Sequence, residues 1–129
     1  VEMDNWVFRA VKKATPGPYT FILKASREVP KMMQHPKKRT VGVRIPDHRT
    51  TLALLDAFDA PLLSSTLLLP GVDDPMTDGW AIKEELDHVV DAVIDSGDRG
   101  LEPTTVVDLT GDEPEIVRLG AGDPAPFEG

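Results

Sequence analysis

The stretch DNWVFRAVKKATPGPYTFILK, Asp4 to Lys24, changes its hydrophobic period once, and that change decides the fold class. In its first half Trp6, Val7, Ala10 and Val11 recur at helical spacing, Asp4 or Asn5 can cap the start, and Lys12 and Lys13 suit the negative end of a helix. Pro16, Gly17 and Pro18 stop that helix, and Tyr19 to Leu23 is aromatic and β-branched enough for a strand. A helix feeding a strand through a tight turn is the kind of unit from which layered α/β domains are built.

The pattern continues downstream. Glu28 to Gln34 allows only a short helix before Pro36, and Thr40 to Ile45 alternates as a second strand that stops at Pro46. Asp47 is placed to cap a helix through Leu52, Leu55 and Phe58. Leu62 to Thr66 reads as a short apolar strand that turns hydroxyl-rich before Pro70 and Gly71, and Asp78 or Thr77 caps a helix through Ile82, Leu86 and Val89. Val90 to Ile94 reads as a further strand and Gly97 to Gly100 as a turn. Thr104 to Leu109 and Glu115 to Leu119 are predicted to pair as a hairpin around Gly111 and Asp112. The expected fold is α/β, a twisted mixed sheet with helices packed on it, in one domain over residues 1–129 whose tail from about residue 120 is loosely held.

A chain of 129 residues that is 40% hydrophobic can bury a core. The absence of cysteine excludes disulfides, thiolate zinc sites and cysteine nucleophiles, and a reducing, cytoplasmic location is expected. The apolar runs Leu52–Leu55 and Leu62–Leu69 are short and interrupted, so no membrane partner is expected. The net charge of −8 is unevenly spread: residues 1–50 hold 11 Lys/Arg against 4 Asp/Glu, and residues 51–129 hold 3 against 18. The basic part is where an anion would be sought, although two differently charged solvated faces give the same count.

Four segments carry candidate chemistry. Pro16 to Thr20 fixes the backbone with two prolines and delivers a hydroxyl at the start of a strand, which suits a phosphate or carboxylate and also fits an ordinary helix-to-strand turn. Arg44 shares a strand face with Gly42 and not with Val41, Val43 and Ile45; a surface arginine is the plainer reading. Ser64, Ser65 and Thr66 can line a crevice at a strand end, or stand as solvated turn hydroxyls. Arg118 can fork onto phosphate oxygens beside Gly120 and Gly122, which would let a ligand approach closely, or pair with an acid of the tail. Lys37, Lys38 and Arg39 add a run of cations. His35, His48 and His88 lack metal-ligand spacing, Glu84, His88 and Asp91 fit a solvated helix face better than a metal site, and no protein-bound metal is expected.

Together the strings PGPYTFILK (residues 16–24), EVP (28–30), KKRTVGVRIPDH (37–48), LLSSTLLLPG (62–71), PTTVVDLT (103–110) and IVRLGAGD (116–123) resemble the YrdC/YciO family, in detail its YciO-type branch. The resemblance implies a YrdC/RibB-like fold and a nucleotidyltransferase that condenses L-threonine, bicarbonate and ATP, with Mg2+ on its phosphates, into threonylcarbamoyl-adenylate and pyrophosphate, for modification of a tRNA adenosine. It also implies an alternative, a YciO-like protein that binds double-stranded RNA, tRNA or a nucleotide without robust synthase activity. By the same resemblance Thr20 and Arg118 match nucleotide-side positions, Thr66 and Thr104 match hydroxyls on the threonine side, and Arg44 matches the arginine of a Val-Arg-x-Pro stretch. Two departures stand out. Leu68 occupies the place of the asparagine in the synthases' Ser-x-Asn motif, and the family's Pro-Thr-Asp strand and Lys-x-Arg motif have no counterpart, so the chain is expected to be the C-terminal portion of the domain and catalytically incomplete alone.

Overall fold

A computed structural model describes residues 3–65, 67, 71, 76–94 and 102–128. The chain divides into two compact units, Val1–Pro61 with Pro103–Gly129, and Leu62–Glu102. The first unit holds α1 (Asn5–Ala14), β1 (Tyr19–Lys24), β2 (Thr40–Val43), α2 (Arg49–Phe58), β3 (Thr105–Asp108) and β4 (Glu115–Arg118); the second holds α3 (Gly79–Leu86).

The strands form one mixed sheet in the order β2-β1-β3-β4. β1 runs antiparallel to β2, with Phe21 opposite Val43, and parallel to β3, with Phe21 opposite Val107; β3 and β4 form the antiparallel hairpin expected around Gly111. Alternation then gives the sheet two unlike faces. Tyr19, Phe21, Leu23, Val107 and Leu109 are buried with Val7 and Val11 of α1, and Trp6, Ala10 and Ala14 pack against them. Thr20, Ile22, Gly42, Val106 and Asp108 lie at the alternate positions, half-buried or exposed.

The tail completes the core, where the sequence predicted a loose end. Phe127 is 4% exposed, its ring meets Tyr19 and Phe21 edge-on at 5.5 and 5.7 Å, and the Tyr19 hydroxyl donates to the Asp123 carbonyl at 3.0 Å. One buried aromatic supplies enough area to hold a short segment that has few other apolar groups.

Other predicted boundaries shift for identifiable reasons. α2 is capped by His48, whose Nδ1 accepts from the Thr51 N–H at 3.3 Å, and not by Asp47. The helix expected over Glu28 to Gln34 shrinks to a 3-10 turn at Lys31–Met33. Asp78 caps α3 through the Trp80 N–H at 3.1 Å, as predicted, but the helix ends at Leu86, so His88 and Asp91 do not extend its face. The strand predicted at Val90–Ile94 does not form: the Val90 N–H bonds back to the Leu86 carbonyl at 3.0 Å. Leu62–Ser65 is also irregular, with Leu63 65% exposed. Apolar runs make strands only where a neighbouring strand receives them. Thr66 and the turn at Gly97–Gly100 lie outside the described residues. No described helix is long and apolar enough to cross a membrane.

Candidate functional site

The parallel pairing of β1 with β3 sets the entrances to the two strands side by side, with Tyr19 opposite Thr105. Thr20 and Thr104, 84 positions apart in sequence, thereby share a hydrogen bond between their hydroxyls of 2.7 Å. Arg118 closes the cluster. Its Nε and Nη2 donate to the Thr104 carbonyl at 3.1 and 2.8 Å, and Nη2 also lies 3.2 Å from the Thr104 hydroxyl. The partner of this guanidinium is therefore Thr104 and not an acid of the tail.

A bulge aims Arg118. Val107 pairs with Ile116, so an unbroken ladder would set Val117 opposite Val106; instead Arg118 stands there and Val117 is left over. Period-two alternation from the half-buried Ile116 would have sent Arg118 to the core face, and the extra residue returns it to the face of Thr20. Three candidates from the sequence, Thr20, Thr104 and Arg118, thus converge at the amino ends of β1 and β3. Ser64 and Ser65, expected with Thr66 to line a crevice at a strand end, lie in an irregular segment, and Thr66 itself is outside the described residues.

Behind the cluster lies a contact that the sequence did not flag. Thr105 is fully buried; its hydroxyl donates to the Gly122 carbonyl at 2.7 Å and accepts from the Gly120 N–H at 2.9 Å. A Cβ on Gly120 would collide with the Pro103 and Thr104 carbonyl oxygens, and one on Gly122 would lie 2.5 Å from the Tyr19 ring. These glycines admit the chain itself, not a ligand, which corrects the reading of their role. The Pro16–Thr20 turn is likewise committed: the Gly17 N–H donates to the Ile45 carbonyl at 2.9 Å and the Tyr19 N–H to the Gly17 carbonyl at 2.9 Å, so these two amides are not offered to an anion.

The remaining cations divide between the two ends of β1. Extending the β1–β2 register by one pair beyond Phe21 and Val43 sets Arg44 opposite Thr20, exposed and on the same face. Lys37, Lys38 and Arg39 precede Thr40, which pairs with Lys24 at the other end, about 13 Å of strand away. They do not join the threonine cluster. Among the described residues no group of three His, Asp or Glu gathers to hold a metal ion.

The Sua5, yciO and yrdC family model, described as "Telomere recombination", matches residues 1–120. The chain belongs to this family. Within the Sua5/YciO/YrdC family it is 46% identical over 125 residues to the uncharacterized protein YciO of Escherichia coli K12, covering 97% of this chain and 61% of YciO. The crystal structure of that YciO superposes with a TM-score of 0.88 over 98% of this chain and 61% of the other. The threonylcarbamoyl-AMP synthase of Pyrococcus abyssi is 32% identical over 111 residues, 84% of this chain and 32% of the synthase. The structure of P. abyssi Sua5 complexed with L-threonine gives a TM-score of 0.80 at 28% identity, over 93% of this chain and 35% of that one. The chain thus spans about 61% of the length of the YciO relatives it matches, and the sheet described here is a Sua5/YciO/YrdC-family sheet.

Proposed function

We propose that the Thr20–Thr104–Arg118 cluster serves a nucleotidyl transfer of the threonylcarbamoyl-AMP synthase type, with ATP, L-threonine and bicarbonate as substrates and Mg2+ arriving on the triphosphate. The supporting observation is the 2.7 Å hydrogen bond between Thr20, on the nucleotide side by resemblance, and Thr104, on the threonine side. A condensation needs its two substrates in contact, and adjacent hydroxyls on neighbouring strands are where that contact would be made. In the reaction the threonine nitrogen bonds to the bicarbonate carbon with loss of water. A carbamate oxygen then bonds to the α-phosphorus as the bond to pyrophosphate breaks. Arg118 supplies positive charge beside the phosphates, and its Nη1 donates to no described residue.

The test is pyrophosphate release by the full-length protein, measured with ATP, L-threonine and bicarbonate together and with each left out. Release that requires all three, and that falls about tenfold or more in Thr104→Val, is expected. A second reading, a YciO-like protein that binds RNA or a nucleotide without robust synthesis, is favoured by Leu68, which stands where the synthases carry asparagine. Saturable ATP binding with no threonine-dependent release would select it. Leu68→Asn then separates the cases, since gain of release would identify the missing amide as the reason.

A further inference from the structure

Thr105 touches no substrate on the reading above, because its side chain is fully buried on the core face, away from the hydroxyls of Thr20 and Thr104. It is nevertheless bonded to a near neighbour of every residue in the cluster. Its N–H donates to the carbonyl of Pro18, two residues before Thr20, at 3.1 Å. Its hydroxyl accepts from the N–H of Gly120, two residues after Arg118, at 2.9 Å, and donates to the Gly122 carbonyl at 2.7 Å. Thr104 precedes it directly. The carbonyls on either side of that step complete a clasp: Pro103 accepts from the Ala121 N–H at 2.8 Å, and Thr104 accepts from the Arg118 guanidinium.

The segment that follows Arg118 has little else to hold it. Val117 and Leu119 are 56% and 65% exposed, Ala121 is exposed, and Gly120 and Gly122 bring no side chain to pack. We propose that Thr105 is the positioning residue of the cluster: its hydroxyl fixes the Gly120–Gly122 segment and so keeps the Arg118 guanidinium on the Thr104 carbonyl, where, if the function proposed above holds, it meets the nucleotide. A buried hydroxyl suits the task, since its bonds are strengthened by the low dielectric around them and water does not compete for them. The placement matters, because a shift of about 1 Å in a group that positions a reacting phosphate costs up to about a hundredfold in rate.

The test is hydrogen exchange of backbone amides and of the Arg118 Nε–H, followed by NMR on the full-length protein, with calorimetric titration of ATP beside it. In Thr105→Val the Arg118 Nε–H is expected to exchange at least about tenfold faster, while the Phe21 and Val107 amides keep the protection of a folded core. In Thr105→Ser, which retains the hydroxyl, the Arg118 Nε–H keeps its protection. ATP binding falls several-fold in Thr105→Val and is retained in Thr105→Ser. In an Arg118→Gln background the further loss from Thr105→Val disappears, as it must when one residue acts through the other. Unchanged exchange of the Arg118 Nε–H in Thr105→Val overturns the proposal, and so do additive losses of ATP affinity in the double variant. Should the valine variant not fold, the serine variant decides: retained protection of the Nε–H supports the proposal, and lost protection in a folded serine variant overturns it. Absence of ATP binding in the unaltered protein would sink the proposed function and not the role of Thr105, which the exchange measurement then decides by itself.

Discussion

The two ends of β1 show what one strand can do with the same kinds of residue. At its start, Thr20 is half-buried and joined through Thr104 to Arg118, and the backbone around it is tied to Ile45 and Thr105. At its end, exposed cations stand on a turn that bonds to itself and to Ala25. The first end is woven into the sheet and can place a small ligand; the second presents charge on a turn outside the core. Substitutions should therefore trade off differently: at the first end stability and ligand affinity change together, and at the second only charge-dependent binding changes.

The largest effect is expected where both ends share a support. Phe21 is 1% exposed at the centre of the core, and Phe21→Ala is expected to cost about 3–5 kcal/mol. Denaturant unfolding should show it, with loss of ATP binding; retained ATP binding would mean that the start of β1 does not depend on the core beneath it. Next comes Thr105→Val, which removes the partner of the Gly120 N–H and the Gly122 carbonyl at nearly constant volume. A loss of about 2 kcal/mol in the same assay is expected, and a neutral result would show that water satisfies both groups.

The third comparison concerns charge alone. Arg118→Gln is expected to weaken ATP binding about tenfold, or 1.4 kcal/mol, while Arg9→Gln on the exposed side of α1 leaves it unchanged. Calorimetric titration of both variants decides the matter, since equal losses would reduce Arg118 to bulk electrostatics. The smallest effect belongs to the far end, where Lys38→Gln should move stability by less than about 0.5 kcal/mol. A larger shift of the unfolding midpoint would show that the turn supports the fold and is not only a presenter of cations.

Much of the scaffold is legible in local pattern. The periodicity of Trp6 to Val11, the prolines at 16 and 18 and the alternation of Thr40 to Val43 suffice for α1, β1 and β2, and the Gly111–Asp112 turn suffices for the closing hairpin. The strand readings at Leu62–Thr66 and Val90–Ile94 rest on apolar composition, which says nothing about whether a partner strand arrives. Among the site residues, Thr20, Thr104 and Arg118 could be singled out from the sequence through its resemblance to a known family. Thr105 could not, because a buried threonine and an exposed one look alike until burial is known.

Local pattern suffices for the set of elements and the segregation of charge: a helix, a strand, a basic first part and an acidic remainder follow from residues within a few positions of one another. Long-range packing brings Thr20 to Thr104, because a parallel pairing joins residues 84 positions apart and its register is fixed by burial of Tyr19, Phe21 and Val107 on one face. It also decided the direction of Arg118, through one extra residue in β4 that reverses the face period two would assign, and the anchoring of the tail, through Phe127 entering a core whose other members lie about twenty to one hundred and twenty residues earlier.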